Sequence, residues 1–228
     1  MENKLLAKLP SAELDELRPH FERVQLHHGQ QIIVPDEPID DCYFPLNCLL
    51  SLVTQMEDGS VVESGAIGRQ GMSGVPVLLD ARTTPMPTFV QIAGDALRVG
   101  ARVVKEAYER RGALHRLFNC YIHTVLVTGS QAVACNAVHR LEERLCKWLL
   151  MCADGIGSDE VHITHEYLAM MLGVRRAGVT EGAIKLQNAG LIRYSRGRVR
   201  ILDRPHLEAN ACECYRRTRA EYERLFEG

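Results

Sequence analysis

The spacing of apolar positions changes near residue 100, from a period of about two to a period of about 3.6. Before that point, short β-favouring runs alternate with turn residues such as Asp58-Gly59, which is a typical hairpin signal. These runs cover residues 24–26, 31–34, 49–56, 61–63 and 89–99. Their regular spacing predicts a small β-barrel or sandwich over residues 20–100. A short helix over 12–16, capped by Ser11, is predicted before it.

From Ala101 onward the pattern predicts helices. A broad apolar stripe is formed by Leu114, Leu117, Phe118, Tyr121, Ile122, Val125 and Leu126. The width of this stripe predicts one long helix that faces the barrel on one side and a second copy of the chain on the other. The continuation of this helix over 138–152 is amphipathic, and the glycines of segment 154–158 are expected to break the helix and to open the last domain.

Residues 162–180 have the pattern of a helix-turn-helix. Thr164 is a candidate N-cap for the first helix, and Gly173 permits the turn. The positions expected to be buried are Leu168, Ala169, Met171, Leu172, Val174 and Val179. The second helix would then turn basic and polar side chains outward, where they can reach base edges and phosphates in a major groove.

Residues 190–202 alternate basic and apolar side chains around a Ser-Arg-Gly turn, which predicts a basic β-hairpin, or wing. The charge distribution supports this interpretation. Residues 1–100 carry 7 Lys and Arg against 14 Asp and Glu, whereas residues 161–206 carry eight basic against three acidic residues. A locally basic C-terminal module in a chain of net charge −2 is typical of a domain that binds a polyanion.

This order of elements resembles the Crp/Fnr superfamily of bacterial transcription regulators over nearly the whole chain, including the segment His139-Arg140-Leu141-Glu142-Glu143-Arg144-Leu145. The resemblance implies an α+β fold. Its predicted parts are a β-roll effector domain over 1–110, a dimerisation helix over 111–137 and a winged helix-turn-helix over 138–228. It also implies a homodimer that binds a two-fold-symmetric operator in double-stranded DNA, and contact with RNA polymerase if the protein is an activator.

The residues expected at the DNA are Thr164, Arg175, Arg176, Thr180, Glu181, Lys185, Arg196 and Arg198. Arg176 matches the arginine that the family places near the start of its recognition helix, and it is expected to read guanine. Arg196 and Arg198 are expected to contact phosphates. The residues expected in the dimer interface are Leu117, Phe118, Tyr121, Ile122 and Val125.

Several other functions are disfavoured. The Glu and Arg that hold a cyclic nucleotide in this family are absent from residues 71–76 and 83–89, so cyclic AMP is not an expected effector. The N-terminal cysteine group of an iron–sulfur sensor is absent, and the spacing of Cys212 and Cys214 on one helix would separate their side chains. We therefore expect no cofactor and no metal. Neither a G-x-S-x-G elbow nor a phosphate loop occurs, which disfavours an enzyme.

No run of residues is apolar enough to predict a membrane span or a secretion signal, and a cytoplasmic location is expected. Most of the eight cysteines are then expected to be reduced thiols that are buried as small apolar side chains. The alternative is a cysteine- or metal-dependent sensor or adaptor whose helix-turn-helix contacts protein. An adaptor would not require the basic wing.

Overall fold

The computed structural model describes residues 2–59 and 61–226. The N-terminal domain is a β-roll of seven strands in two antiparallel sheets. The strands are β1 (Glu22–Leu26), β2 (Gln31–Ile33), β3 (Asp41–Pro45), β4 (Leu49–Gln55), β5 (Val61–Ile67), β6 (Thr88–Ile92) and β7 (Gly94–Gly100). One sheet has the order β1-β7-β3 and the other β2-β6-β4-β5. Strands β1 to β4 alternate between the two sheets and β7 returns to the first, so the chain crosses repeatedly between two packed layers.

Two sequence predictions for this domain need correction. The strand β3 was not predicted, because Asp41 and Pro45 at its two ends are residues that disfavour strands. Its inward-facing residues, Cys42 and Phe44, are nevertheless fully buried. The predicted strand over 89–99 is two strands, β6 and β7. The strand is interrupted at Ala93. The next residue, Gly94, begins β7, and a Cβ atom there would lie 2.5 Å from Asn47 Oδ1.

A helical segment closes one end of the roll. Helix α1 (Ser11–Leu17) begins one residue earlier than predicted, after an N-cap at Pro10, so Ser11 is not the cap. The side chains of Leu14 and Leu17 are buried against the roll. Before the helix, the amide of Asn3 donates to the carbonyl oxygens of Pro45 and Gly71 at 2.9 and 3.0 Å. Helix α2 (Val75–Leu78) lies in the connection between β5 and β6, which belong to the same sheet.

Three helices follow the roll: α3 (Ala101–Glu109), α4 (Ala113–Val138) and α5 (Leu141–Ile156). The predicted long helix corresponds to α4, but its predicted continuation is a separate helix, α5, because the backbone is extended at His139 and Arg140. The prediction that 154–158 breaks the next helix is wrong by three residues, because Asp154 and Gly155 still belong to α5 and the helix ends at Gly157 with a φ of 73°. Gly155 stays in the helix because it packs on Gly68. A Cβ on Gly68 would lie 2.3 Å from Gly155 Cα.

The C-terminal part is a winged helix-turn-helix followed by two helices. Its elements are β8 (Glu160–His162), α6 (His165–Leu172), α7 (Arg176–Asn188), β9 (Ile192–Ser195), β10 (Arg198–Ile201), α8 (Arg204–Asn210) and α9 (Glu213–Phe226). The three strands form an antiparallel sheet of order β8-β10-β9. One apolar core joins α5, α6 and α7 to residues of β4 and β6, so the helix-turn-helix rests on the roll. Among the helices of the described residues, none has both the length and the apolarity to cross a membrane.

Candidate nucleic-acid interface

The helix-turn-helix is built from local signals that the sequence carries. Thr164 caps α6, because its Oγ1 accepts a hydrogen bond of 3.2 Å from the backbone N–H of Tyr167. Gly173 ends α6 with a φ of 62°, a left-handed conformation that suits glycine. Arg144 of α5 donates to the carbonyl oxygen of Leu172 at 2.5 Å and so satisfies the last turn of α6. These contacts fix the angle at which α7 leaves the turn.

Helix α7 is anchored on one side and open on the other. Val179, Ala183 and Leu186 are buried. Gly182 also faces the core, where a Cβ would lie 3.3 Å from Leu145 Cδ2, which explains a small residue there. The exposed residues of α7 and its N-cap are Arg175, Arg176, Ala177, Glu181, Ile184, Lys185, Gln187 and Asn188. The open side therefore begins with two arginines at the N-terminal end, where a recognition helix meets base edges.

A hydrogen-bonded group behind this surface ties α6, α7 and the wing together. The hydroxyl of Thr180 donates to the carbonyl oxygen of Arg176 at 3.1 Å, so Nδ1–H of His165 is the donor in the 3.0 Å contact to the same hydroxyl. The His165 ring stacks on the Tyr194 ring of β9 at 4.0 Å. Burial, followed by the charge of Arg176, lowers the pKa of His165, which favours the neutral ring.

The wing is a hairpin of the predicted type. In the antiparallel pair of β9 and β10, the pair of residues nearest the turn is Ser195 and Arg198. Arg196 and Gly197 therefore form a two-residue turn. Both residues have positive φ, 49° and 76°, as a type I′ turn requires. Glycine or asparagine is favoured at the first of these positions, and an arginine there costs about 1 kcal/mol. A strained residue with an exposed charged side chain is typical of a functional position.

The predicted DNA contacts differ in how free they are. The four arginines are all exposed: Arg175, Arg176, Arg196 and Arg198. Of these, Arg198 makes a weak ion pair, in which its Nη1 is 4.0 Å from Glu160 Oε1. Lys185, although exposed, already pairs with Glu142 of α5 at 2.5 Å. The hydroxyl of Thr180 is used within the protein, as described above. Thr164 and Glu181 are exposed.

Sequence reasoning missed Ile184, whose side chain is 52% exposed on the outward face. The helical spacing 177, 181, 184, 188 was the available signal.

The predicted dimer residues on α4 separate into two sets. Phe118 is fully buried in its own protomer and Tyr121 is 5% exposed, so the prediction that these two meet a second copy is wrong. Both pack against the roll, where the hydroxyl of Tyr121 donates to the carbonyl oxygen of Met72 at 2.9 Å. Leu117, Ile122 and Val125 are only half-buried. The large apolar side chains of α4 that are exposed are Leu126 at 65%, Val133 at 73% and Val138 at 72%.

Away from the basic surface, four side chains with metal-ligating atoms meet where α4 ends and α9 begins. This Cys3His cluster consists of Cys135, His139, Cys212 and Cys214. The sequence-based prediction that the side chains of Cys212 and Cys214 diverge on one helix is wrong, because Cys212 precedes the first residue of α9. Seven of the eight cysteines are buried, and all eight are free thiols.

Residues 143–210 match the model of the Crp-like helix-turn-helix domain. No curated protein sequence matches the chain. A putative Crp/Fnr-family regulator from Eubacterium rectale has the same fold, with 18% identity, a TM-score of 0.67 and coverage of 92% of this chain and 98% of that one. FixK2 from Bradyrhizobium japonicum gives 12% identity, a TM-score of 0.69 and coverages of 84% and 98%.

The c-di-GMP-responsive regulator CLP from Xanthomonas campestris gives 12% identity, a TM-score of 0.67 and coverages of 85% and 100%. At these identities the solved structures establish the fold, and the family model establishes the nature of the C-terminal domain. The chain therefore carries a Crp-like helix-turn-helix domain over residues 143–210, and its overall fold is that of solved Crp/Fnr-family structures.

Proposed function

We propose that the protein is a homodimeric, sequence-specific DNA-binding transcription regulator that acts in the cytoplasm. The observation that carries this proposal is the outward surface of α7 and the wing. It presents the exposed Arg175, Arg176, Arg196 and Arg198 on a frame held by the His165–Thr180–Arg176 group. A preorganised basic surface of this shape fits one major groove and the phosphates beside it.

The residues divide into base-reading and phosphate-binding groups. Arg176 lies at the first position of α7 and reads guanine through O6 and N7. Ile184, on the same face, is suited to contact a thymine methyl group. Arg196 and Arg198 contact phosphates, and Lys185 does so if the DNA displaces Glu142 from it. Glu181 accepts from a cytosine amino group or orients a neighbouring arginine.

The test compares single variants on a selected operator and on a scrambled duplex at several salt concentrations. Arg176→Ala should lose about 1–3 kcal/mol on the operator and much less on the scrambled duplex. Arg196→Ala should weaken both duplexes and reduce the salt slope by about one. Arg102→Ala, which removes an exposed arginine of α3 whose side chain is 90% accessible, is the control. Equal losses on both duplexes for Arg176→Ala would leave that residue only an anchoring role.

The proposed dimer interface runs along the open side of α4. The positions that alternate by three and four residues are Asn119, Ile122, Leu126, Gly129, Val133 and Asn136. This is the spacing of a two-stranded coiled-coil seam, and the polar residues at either end would fix its register. Leu126→Asp should therefore give monomers with weak operator binding. Leu79→Asp, at another exposed leucine, should leave the dimer intact. A Leu126→Asp protein that remains dimeric in light scattering at micromolar concentration refutes this seam.

The effector of the roll is not cyclic AMP in this proposal. The buried Tyr121 and Met72 fill the space between α4 and the loop before α2, and a Cβ on Gly71 would lie 2.5 Å from the Tyr121 hydroxyl. Residues 71–76 and 83–89, where the family places its phosphate-binding arginine, also lack an arginine to pair with a phosphodiester. Titration calorimetry with cyclic AMP should detect no binding at micromolar concentrations, and a micromolar Kd would overturn this part. If the protein is an activator, RNA polymerase is a further partner.

A further inference from the structure

The Cys3His cluster has the geometry of a site for one tetrahedral metal ion. Its four ligand atoms all lie within 4.8 Å of one another. Cys135 Sγ is 3.6 Å from Cys212 Sγ, and Cys214 Sγ is 3.5 Å from His139 Nδ1. Zn–S bonds of about 2.3 Å and Zn–N bonds of about 2.0 Å in a tetrahedron place two sulfurs roughly 3.8 Å apart and a sulfur and a nitrogen roughly 3.5 Å apart. The two measured separations agree with this geometry.

The groups around the cluster are those that orient metal ligands. His139 presents Nδ1 to the cluster, and its Nε2 is 2.9 Å from Glu213 Oε2. A carboxylate on the far ring nitrogen is the usual partner of a metal-bound histidine, because it fixes the tautomer and the ring orientation. Gln131 donates from Nε2 to Cys214 Sγ at 3.1 Å, as expected for a donor to a thiolate. Neither contact is required by a group of cysteines that merely packs.

The charge environment also suits a thiolate-rich site. Cys214 lies in the first turn of α9, where the helix dipole favours negative charge. The ammonium group of Lys147 favours the thiolate of Cys135. Three thiolates and a divalent ion together carry one negative charge, which this lysine offsets in part. On binding, each thiol gives its proton to solvent.

We propose that the Cys3His cluster binds one Zn²⁺ ion, which fastens the start of α9 to the end of α4. Three thiolates and one imidazole form a closed site of the structural kind, with no open position for chemistry. Sulfur ligands disfavour Mg²⁺ and Ca²⁺, which require oxygen. A disulfide is the competing state, but the 3.6 Å between Cys135 and Cys212 sulfurs is far from a bond of about 2.05 Å. The proposal does not depend on DNA binding.

The ion would act across a long stretch of sequence. Cys135 and Cys212 are 77 positions apart, so one ion would close a loop that contains the whole winged helix-turn-helix. Besides the cluster, α9 is held by the buried Tyr215 and Phe226 further along the helix, and by an exposed and therefore weak contact of His123 Nε2 with Glu221 Oε1 at 3.0 Å. Metal removal should therefore loosen α9 from its first turn and leave the core of the roll folded.

The first test measures metal content. The full chain, purified with a phosphine reductant and without chelators, should contain about one equivalent of zinc by mass spectrometry. Cys212→Ser and His139→Gln should each lower this content at least five-fold. Cys120→Ser and His123→Gln, which change a cysteine and a histidine of the same helix outside the cluster, should retain it. Circular dichroism identifies any variant that fails to fold, and His139→Gln is the milder of the two changes.

The second test uses Co²⁺ as a probe of the ligands. The cobalt-loaded protein should absorb in the near ultraviolet through thiolate charge transfer and should show intense visible bands of tetrahedral Co²⁺, both weakened in Cys135→Ser. Removal of the metal should speed amide hydrogen exchange across α9 at least ten-fold, with little change in β4 or β6. A metal content below one fifth of an equivalent after zinc supplementation of the reduced protein overturns the proposal. Equal zinc retention in the cluster variants and the controls also overturns it.

Discussion

Replacing Glu63 by glutamine should stabilise the protein at alkaline pH and not at acidic pH. Glu63 lies on β5 where the roll meets the helix-turn-helix domain. Its carboxylate accepts hydrogen bonds from Ser51, Gln91 and Trp148 at 2.8, 3.0 and 3.1 Å. Burial outweighs these hydrogen bonds and raises the pKa of Glu63 from 4.5 to about 7. The site therefore holds a carboxyl group that is reluctant to ionise.

The charged groups around Glu63 come from two helices of the C-terminal domain. The ammonium of Lys147 on α5 favours the ionised carboxylate, but its influence is smaller than that of burial and of the three hydrogen bonds. On α6, burial and then the charge of Glu63 raise the pKa of Tyr167 to about 12. Cys152 of α5, buried beside the same carboxylate, has its pKa raised by burial first. None of these neighbours supplies a full compensating charge.

The sign and size of the effect of Glu63 on the free energy of unfolding follow from proton linkage. Between pH 4.5 and pH 7 the folded protein holds a proton on Glu63 that the unfolded chain has released, so stability falls as pH rises through this window. The full cost above pH 7 is about 3 kcal/mol, at about 1.4 kcal/mol for each pKa unit. Part of the Glu63 side chain still reaches the surface, so about 1–2 kcal/mol is the expected loss. Glutamine avoids it, because the unpartnered Oε1 of Gln91 can accept from the new amide.

The assay is urea unfolding at pH 5 and pH 8, at one protein concentration, followed by the fluorescence of Trp148. This residue is the only tryptophan of the chain and is itself a partner of Glu63. Glu63→Gln should unfold at higher urea than the native protein at pH 8 and at similar urea at pH 5. Glu57→Gln, at an exposed position of the neighbouring turn, should change neither value. A stability change of the same size at both pH values would refute the reasoning.

Three further substitutions test local geometry by urea unfolding. Arg196→Asn should stabilise the wing by about 0.5–1 kcal/mol, because asparagine tolerates the positive φ, while DNA affinity falls. Higher affinity or lower stability would contradict this. Gly68→Ala should destabilise the protein by about 1–3 kcal/mol, because the new Cβ meets the backbone of Gly155. Gly100→Ala is the control and should cost less, because a Cβ there meets no atom within 4 Å. Equal losses of stability in the two variants would refute this explanation. Thr180→Val should cost about 1–2 kcal/mol by leaving Nδ1–H of His165 unpaired, and Thr83→Val, at an exposed site, should cost little.

The sequence predicted the helix-turn-helix well because its signals are local. Thr164 and Gly173 mark the ends of α6, and the buried positions follow a helical period. The fold class is confirmed for the same reason, since strand and helix periods differ along the chain. The errors occurred where tertiary contacts decide. Gly155 stays inside α5 because Gly68 packs on it, and no pattern within residues 154–158 records that neighbour.

The two sites that sequence reasoning missed are both formed by residues distant in the chain. Glu63 meets Trp148 across 85 positions, and each residue alone is typical of an ordinary sheet or helix. The Cys3His cluster combines the end of α4 with the segment before α9, so no single window holds a metal-binding motif. The C-x-C pair at 212–214 was the available signal. It was discounted on the assumption that both cysteines lie within a helix, whereas α9 begins at Glu213.

The proposed metal site and the proposed dimer seam can be occupied together, because they lie on opposite sides of α4. Nine residues separate Leu126 from Cys135, and at about 100° per residue this is a rotation of about 900°, or half a turn beyond two full turns. Leu126 is 65% exposed, whereas Cys135 is covered by α9. A second copy can therefore pack on one side while α9 stays fastened on the other. The ion would then act on the dimer only through the rigidity of α4, whose last turn carries Cys135 directly before the helix-turn-helix domain.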